Sequence, residues 1–134
     1  MTKHAHGTFD VNVIPQPPEE KTEGSGLGRM VLDKHFHGDL DAAGQGQMLT
    51  GMTEVKGSGA YVAIERVTGT LHGQSGTFLL QHLGIMTRGV PQLSVTVVPD
   101  SGTGQLVGIE GAMTIINEQG KHSYDFAYSL PAAN

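Results

Sequence analysis

Apolar side chains recur at every second position through most of this chain, and single glycines interrupt the alternation without ending it. From residue 5 to residue 14, Ala5, Gly7, Phe9, Val11 and Val13 alternate with His6, Thr8, Asp10 and Asn12. Period two is the repeat of a half-buried strand, and no helix produces it. Pro15 ends this run because proline cannot donate to a ladder, and the polar, glycine-rich residues 19–28 read as a surface loop. Arg29 to Gly38 alternate again, with Met30, Leu32 and Phe36 opposed to Asp33, His35 and His37. Lys34 falls on the apolar side of that run and is expected near a strand end or reaching out to water.

The next stretch is harder to type. A helix over Leu40 to Leu49 would carry Gly44 and Gly46, each costing about 1 kcal/mol relative to alanine, so a glycine-bent strand is expected over residues 42–53. Glycine is the compositional outlier, 20 of 134 residues, about twice the usual share. Isolated strand glycines mark bulges, bends or close backbone approach, and strongly coiled strands are what barrel closure needs.

Residues 60–86 form the central hairpin. A turn at Gly73-Gln74 would place Gly69 opposite Phe78, Val67 opposite Leu80, and Glu65 opposite His82. Another even-length loop would leave Glu65 and His82 on one face without setting them directly opposite, whereas an odd loop would separate them. Phe78 is expected to cover Gly69. Both faces are largely apolar: Tyr61, Ala63, Val67, Leu71, Phe78, Leu80 and Met86 on one, Val62, Ile64, Leu79, Leu83 and Ile85 on the other. A sheet apolar on both faces has something packed on both sides, here the barrel interior and either a subunit contact or another part of the chain.

Residues 92–98 read as a short strand ended by Pro99, Thr103 as the cap of one helical turn stopped by Gly108, and residues 112–117 and 122–128 as a last hairpin with Tyr124, Phe126 and Tyr128 on one face. The sum is an all-β chain, a single β-barrel domain over residues 1–134 with about eight antiparallel strands in up-and-down order.

Several functions are excluded or disfavoured. The chain has no cysteine, which removes disulfides and thiolate chemistry. Net charge is −5 and the eight Lys and Arg are scattered, so no basic stripe offers a nucleic-acid footprint. No apolar run approaches a membrane span and the N-terminus has no signal-like core, so a cytoplasmic protein is expected. The glycine clusters at residues 24–28 and 101–104 lack the strand and long helix of a phosphate cradle, no Gly-x-Ser-x-Gly elbow occurs, and no cofactor is expected.

Tyr61-Val-Ala-Ile-Glu65, Gly69-Thr-Leu-His-Gly73, Ser75-Gly-Thr-Phe78 with Gln81-His82-Leu-Gly84, and Ser101-Gly-Thr-Gly104 with Leu106 and Gly111 stand in an order that resembles a family of uncharacterised bacterial proteins, a domain of unknown function built as an allene-oxide-cyclase-like barrel. The resemblance spans nearly the whole chain. It implies an eight-stranded antiparallel barrel, often a homo-oligomer, and it carries no established activity.

Glu65 and His82 are the candidate catalytic residues. A carboxylate beside an imidazole in an apolar cavity suits general acid/base work; the plainer alternative is a structural cross-strand pair that pins the register. Tyr61, Phe78, Leu80 and Met86 share their parity and are the candidate ligand-binding residues, whereas Arg66 faces the other way. His35-x-His37 followed by Asp41 loosely resembles a cupin metal pattern, but no second histidine motif completes it and no metal site is expected. Three functions fit: a barrel binding a small, largely apolar ligand in its lumen, a cyclase or isomerase using the Glu-His pair, and a structural oligomer with a filled barrel.

Overall fold

The computed structural model describes residues 1–21 and 23–132. Eight strands follow in chain order: β1 (Lys3–Pro15), β2 (Leu27–Gly38), β3 (Leu40–Met52), β4 (Gly59–Leu71), β5 (Gln74–Thr87), β6 (Val90–Val97), β7 (Glu110–Glu118) and β8 (Lys121–Ser129). Each pairs antiparallel with its sequence neighbours, and β1 pairs with β8 to close the barrel. On β1 and β2 the residues that alternation sets on the apolar face point inward, including Ala5, Phe9, Leu32 and Phe36; on β4, apolar on both faces, Ala63 and Val67 point inward and Val62 and Ile64 outward. No helix among the described residues is long and apolar enough to cross a membrane.

The glycine-bent strand expected at residues 42–53 is present, as β3. Gly46 packs so closely on β4 that a Cβ there would stand 2.7 Å from Glu65 Cα, which explains a glycine where propensity alone favours none. Thr103 stands at the N-cap of the one helical turn expected there, but its side chain makes no capping bond. The chain makes a short 3₁₀ turn at Gly104–Leu106 without a side-chain cap, and the Thr103 hydroxyl instead accepts from the Thr77 N–H at 3.0 Å. With Ser101 Oγ accepting from Leu79 N–H at 3.0 Å, this loop serves the free side of β5 in place of a strand. The β6–β7 seam itself has one paired position, Thr96 with Ala112.

The β4–β5 register differs from the expected one. Leu71 pairs with Gln74, so the turn is His72-Gly73, with φ of 46° and 78°. Positive φ at both central positions is the type I′ geometry that matches strand twist. The shift sets Glu65 opposite Leu80, His82 opposite Ala63, Phe78 opposite Val67 and Gly69 opposite Gly76. Phe78 therefore does not cover Gly69. The aromatic cover falls on Gly84, where a Cβ would stand 2.7 Å from Tyr61 Cζ.

The barrel is filled at one end and open at the other. At the filled end, Phe36, Leu40, Leu71, Phe78, Phe126 and Tyr128 are buried, and Leu106 and Ile109 of the β6–β7 loop close the lumen. Tyr124 pins the β2–β3 turn there: its hydroxyl accepts from the Leu40 N–H at 3.0 Å and donates to the His37 carbonyl at 2.9 Å. Tyr124→Phe strands a buried N–H, which costs about 1–3 kcal/mol. The expected result is an unfolding free energy in urea lower by that amount, with an unchanged far-ultraviolet dichroism spectrum.

Candidate functional site

Small residues on β3 let strands that are not neighbours meet inside the barrel. Gly44 pairs with Lys34 on one side and Val67 on the other; Gly46 pairs with Leu32 and Glu65. Across this gap the Lys34 side chain reaches from β2 to β4. Lys34 is 5% exposed, so the expectation that it would lie near a strand end or reach out to water is wrong. The buried carboxylate of Glu65 is what makes its interior position tolerable.

Glu65 is fully buried, and one of its oxygens serves two donors. Oε1 accepts from Lys34 Nζ at 3.0 Å and from His82 Nε2 at 2.6 Å. The Lys34 ammonium also lies over two aromatic faces, 4.7 Å from the Phe9 centroid and 5.2 Å from that of Phe36, which offsets part of its lost hydration. Glu65 Oε2 is the one sealed side-chain N or O atom without a hydrogen-bond partner among the described residues. It points at Gly44, where a Cβ would collide with it.

Burial by itself drives the Glu65 carboxyl toward its neutral form. The hydrogen bond from His82 and the charge of Lys34 outweigh burial and hold the group below its ordinary value of 4.5. The carboxylate is therefore ionised at neutral pH.

Above this triad lies a cavity of about 630 Å³. Lys34 and His82 form part of its wall, with Tyr61 and Met86 beside them and Val11, Leu32 and Met113 among the apolar residues around them. His122, at the mouth, stacks on Phe9 with centroids 5.0 Å apart. Burial raises the Tyr61 hydroxyl above its ordinary value of 10.0, so it stays protonated. Tyr61 and Met86, named from strand parity, thus line the cavity, while Phe78 and Leu80 lie in the packed half. Glu65 and His82 are brought together, though diagonally across the strand pair. Lys34 is the member that strand parity placed inside but charge argued outward.

A second polar cluster closes the filled end. His72 Nδ1 bonds the Tyr128 hydroxyl, and His72 Nε2 lies 3.6 Å from Asp39 Oδ2. The His6 backbone N–H donates to Asp39 at 2.9 Å and, with the nearby His72, keeps that carboxyl below its usual range against the effect of desolvation. His35 and His37 stack on the outer face, 4.5 Å apart, and His37 Nε2 pairs with Asp10 at 2.9 Å. Among the described residues no group of three or more His, Asp or Glu is placed to hold a metal ion.

The family model for a protein of unknown function, DUF3224, matches residues 5–128. The chain belongs to the DUF3224 family. A crystal structure of a DUF3224 protein of unknown function from Shewanella oneidensis MR-1 is similar to it, at 48% identity and a TM-score of 0.92, over 99% of this chain and 100% of that one. No curated protein matches. This DUF3224 barrel thus has a shared fold and no activity to inherit, and its chemistry must be argued from the cavity.

Glu65→Gln removes the counter-charge of a buried lysine and is expected to lower the unfolding free energy by about 3–5 kcal/mol. The acid limb gives an independent reading. The unfolded carboxyl takes up its proton near 4.5 and the folded one only at lower pH, so the folded state holds fewer protons between those values. The stability from Glu65 is complete above that range and lost as pH falls through the lowered folded value. Urea unfolding of Glu65→Gln between neutral pH and acid should lack this part of the decline.

Proposed function

We propose that this barrel binds a small, largely apolar molecule in the open half of its lumen, with Lys34, His82 and Tyr61 orienting the bound molecule and Glu65 holding the first two in place. The observation that carries this reading is the cavity, about 630 Å³, apolar around most of its wall and polar where Lys34 and His82 reach it. Its size lies within the usual range for small-molecule sites, and a few convergent polar groups in an apolar pocket are their usual composition. Met86, at the rim, completes the apolar wall.

The test is titration with the neutral fluorophore N-phenyl-1-naphthylamine. Saturable one-to-one enhancement is expected, and Ala63→Leu, which pushes apolar bulk into the cavity, should weaken binding about tenfold by displacing a few CH₂-sized contacts. Absence of saturable binding would overturn the reading.

The homo-oligomer also has an observation in its favour. The outer face of β3, β4 and β5 exposes Leu49, Val62, Ile64, Leu83 and Ile85, each 44–58% accessible, and no described segment covers them. Among the residues paired with them, Gln47, Gln81, Gln92 and Ser94 are uncharged and Arg29, opposite Leu49, is basic, although the chain as a whole carries −5. An apolar face whose paired residues include no acidic group, on an acidic protein, suits a second copy of itself. Sedimentation at micromolar concentration should show a dimer or larger that Leu83→Glu reduces to monomer; a monomeric wild-type protein would rule this out.

A further inference from the structure

The hydrogen bond at the cavity floor fixes which atom of His82 meets a ligand. An ionised carboxylate can only accept, and Glu65 Oε1 already accepts a hydrogen bond from Lys34 Nζ. The 2.6 Å contact therefore requires His82 Nε2 to carry hydrogen. In the neutral ring the lone pair is then on Nδ1, the opposite assignment being closed off by Glu65. Nδ1 has no protein partner among the described residues, and it is not among the sealed polar atoms of a residue that lines the cavity.

We propose that the ligand of this cavity carries one weakly acidic O–H group, a phenol or an enol, seated on His82 Nδ1, and that binding passes its proton to the imidazole. The inference rests on the apolar-ligand reading above and names the head group. The O–H bond breaks, its electron pair stays on oxygen, and an Nδ1–H bond forms; nothing is oxidised or reduced.

Charge balance selects this class. With His82 neutral, the Lys34 and Glu65 charges cancel and the floor is neutral overall. A weak acid enters uncharged, and after transfer its anion faces an imidazolium whose other nitrogen still donates to Glu65. The net charge of the buried assembly does not change. An amine head would bring a cation toward Lys34, and the carboxylate that might balance it is fully buried beneath Lys34 and His82. Besides Lys34 and Glu65, the titratable groups around the cavity are Tyr61 and His122. Tyr61 is held in its neutral form, and His122, stacked on Phe9 at the mouth, can only add to the attraction for an anion.

The probe is 4-nitrophenol, whose anion absorbs at longer wavelength than the neutral form, compared with 4-nitroanisole, which has the same ring and no acidic proton. Titration is done with the wild-type protein at a pH one unit below the phenol's own pKa. The expected result is a phenolate band that grows with protein and saturates, with affinity about tenfold above that of 4-nitroanisole, as one charge-assisted hydrogen bond supplies. His82→Gln, whose amide can still donate to Glu65, should lose the band and, with it, the preference for 4-nitrophenol over 4-nitroanisole. Equal affinities without a band, or a band that persists in His82→Gln, would overturn the proposal and leave the apolar pocket standing. Failure of both compounds and of N-phenyl-1-naphthylamine would remove the pocket reading with it. Should the variant not fold, the wild-type comparison of the two compounds decides.

Discussion

Closure of β1 on β8 leaves eight strands with a single inner face, and every inward position is then set by strand parity. The interior of so narrow a barrel can be packed shut, and half of this one is. A buried ion pair stands where the packed half meets the open one. Lys34 and Glu65 stand on strands separated by β3, and they meet only because β3 presents Gly44 and Gly46 between them. His82 joins from β5 on the same oxygen. Thus the electrostatics of the floor come from one arrangement of strands.

Much of this was legible in the sequence. Alternation assigns the inner residues of β1 and β2 correctly, because a half-buried strand can bury its apolar set in only one phase, whereas β4 is apolar on both faces and alternation leaves its inner face open. Glu65 and His82 share a face in any even-loop register, and they do share it. The register is not legible in the same way, because Gly73 invites a turn starting there. The structure instead uses His72-Gly73, and the same x-Gly pattern recurs at Arg88-Gly89 and Gln119-Gly120. Comparing those three sites would have pointed to the right loop.

Lys34 shows where parity and solvation disagree. Its position in the alternation put it inside, while the cost of burying an ammonium argued for an escape to water. The deciding fact was a carboxylate 31 positions away, on a strand that does not pair with β2, and nothing in a local window reports it. The division of the lumen into a packed and an open half is equally remote from pattern. It depends on the summed size of inward side chains from every strand, with Leu106 and Ile109 added from a loop. The Asp39, His72 and Tyr128 cluster joins two turns and the end of β8, and so waits on the register as well.

The Glu65 oxygen without a donor sits where a methyl group on Gly44 would be. The three ionisable side chains of the floor are thus held in place by an atom that is missing from the sequence. Over generations such a site can be silenced by a change that touches none of its acids or bases, simply by adding one carbon to the strand beside them. Relatives that keep Lys34, Glu65 and His82 but carry a side chain at the Gly44 position would share the residues of this site and not its chemistry.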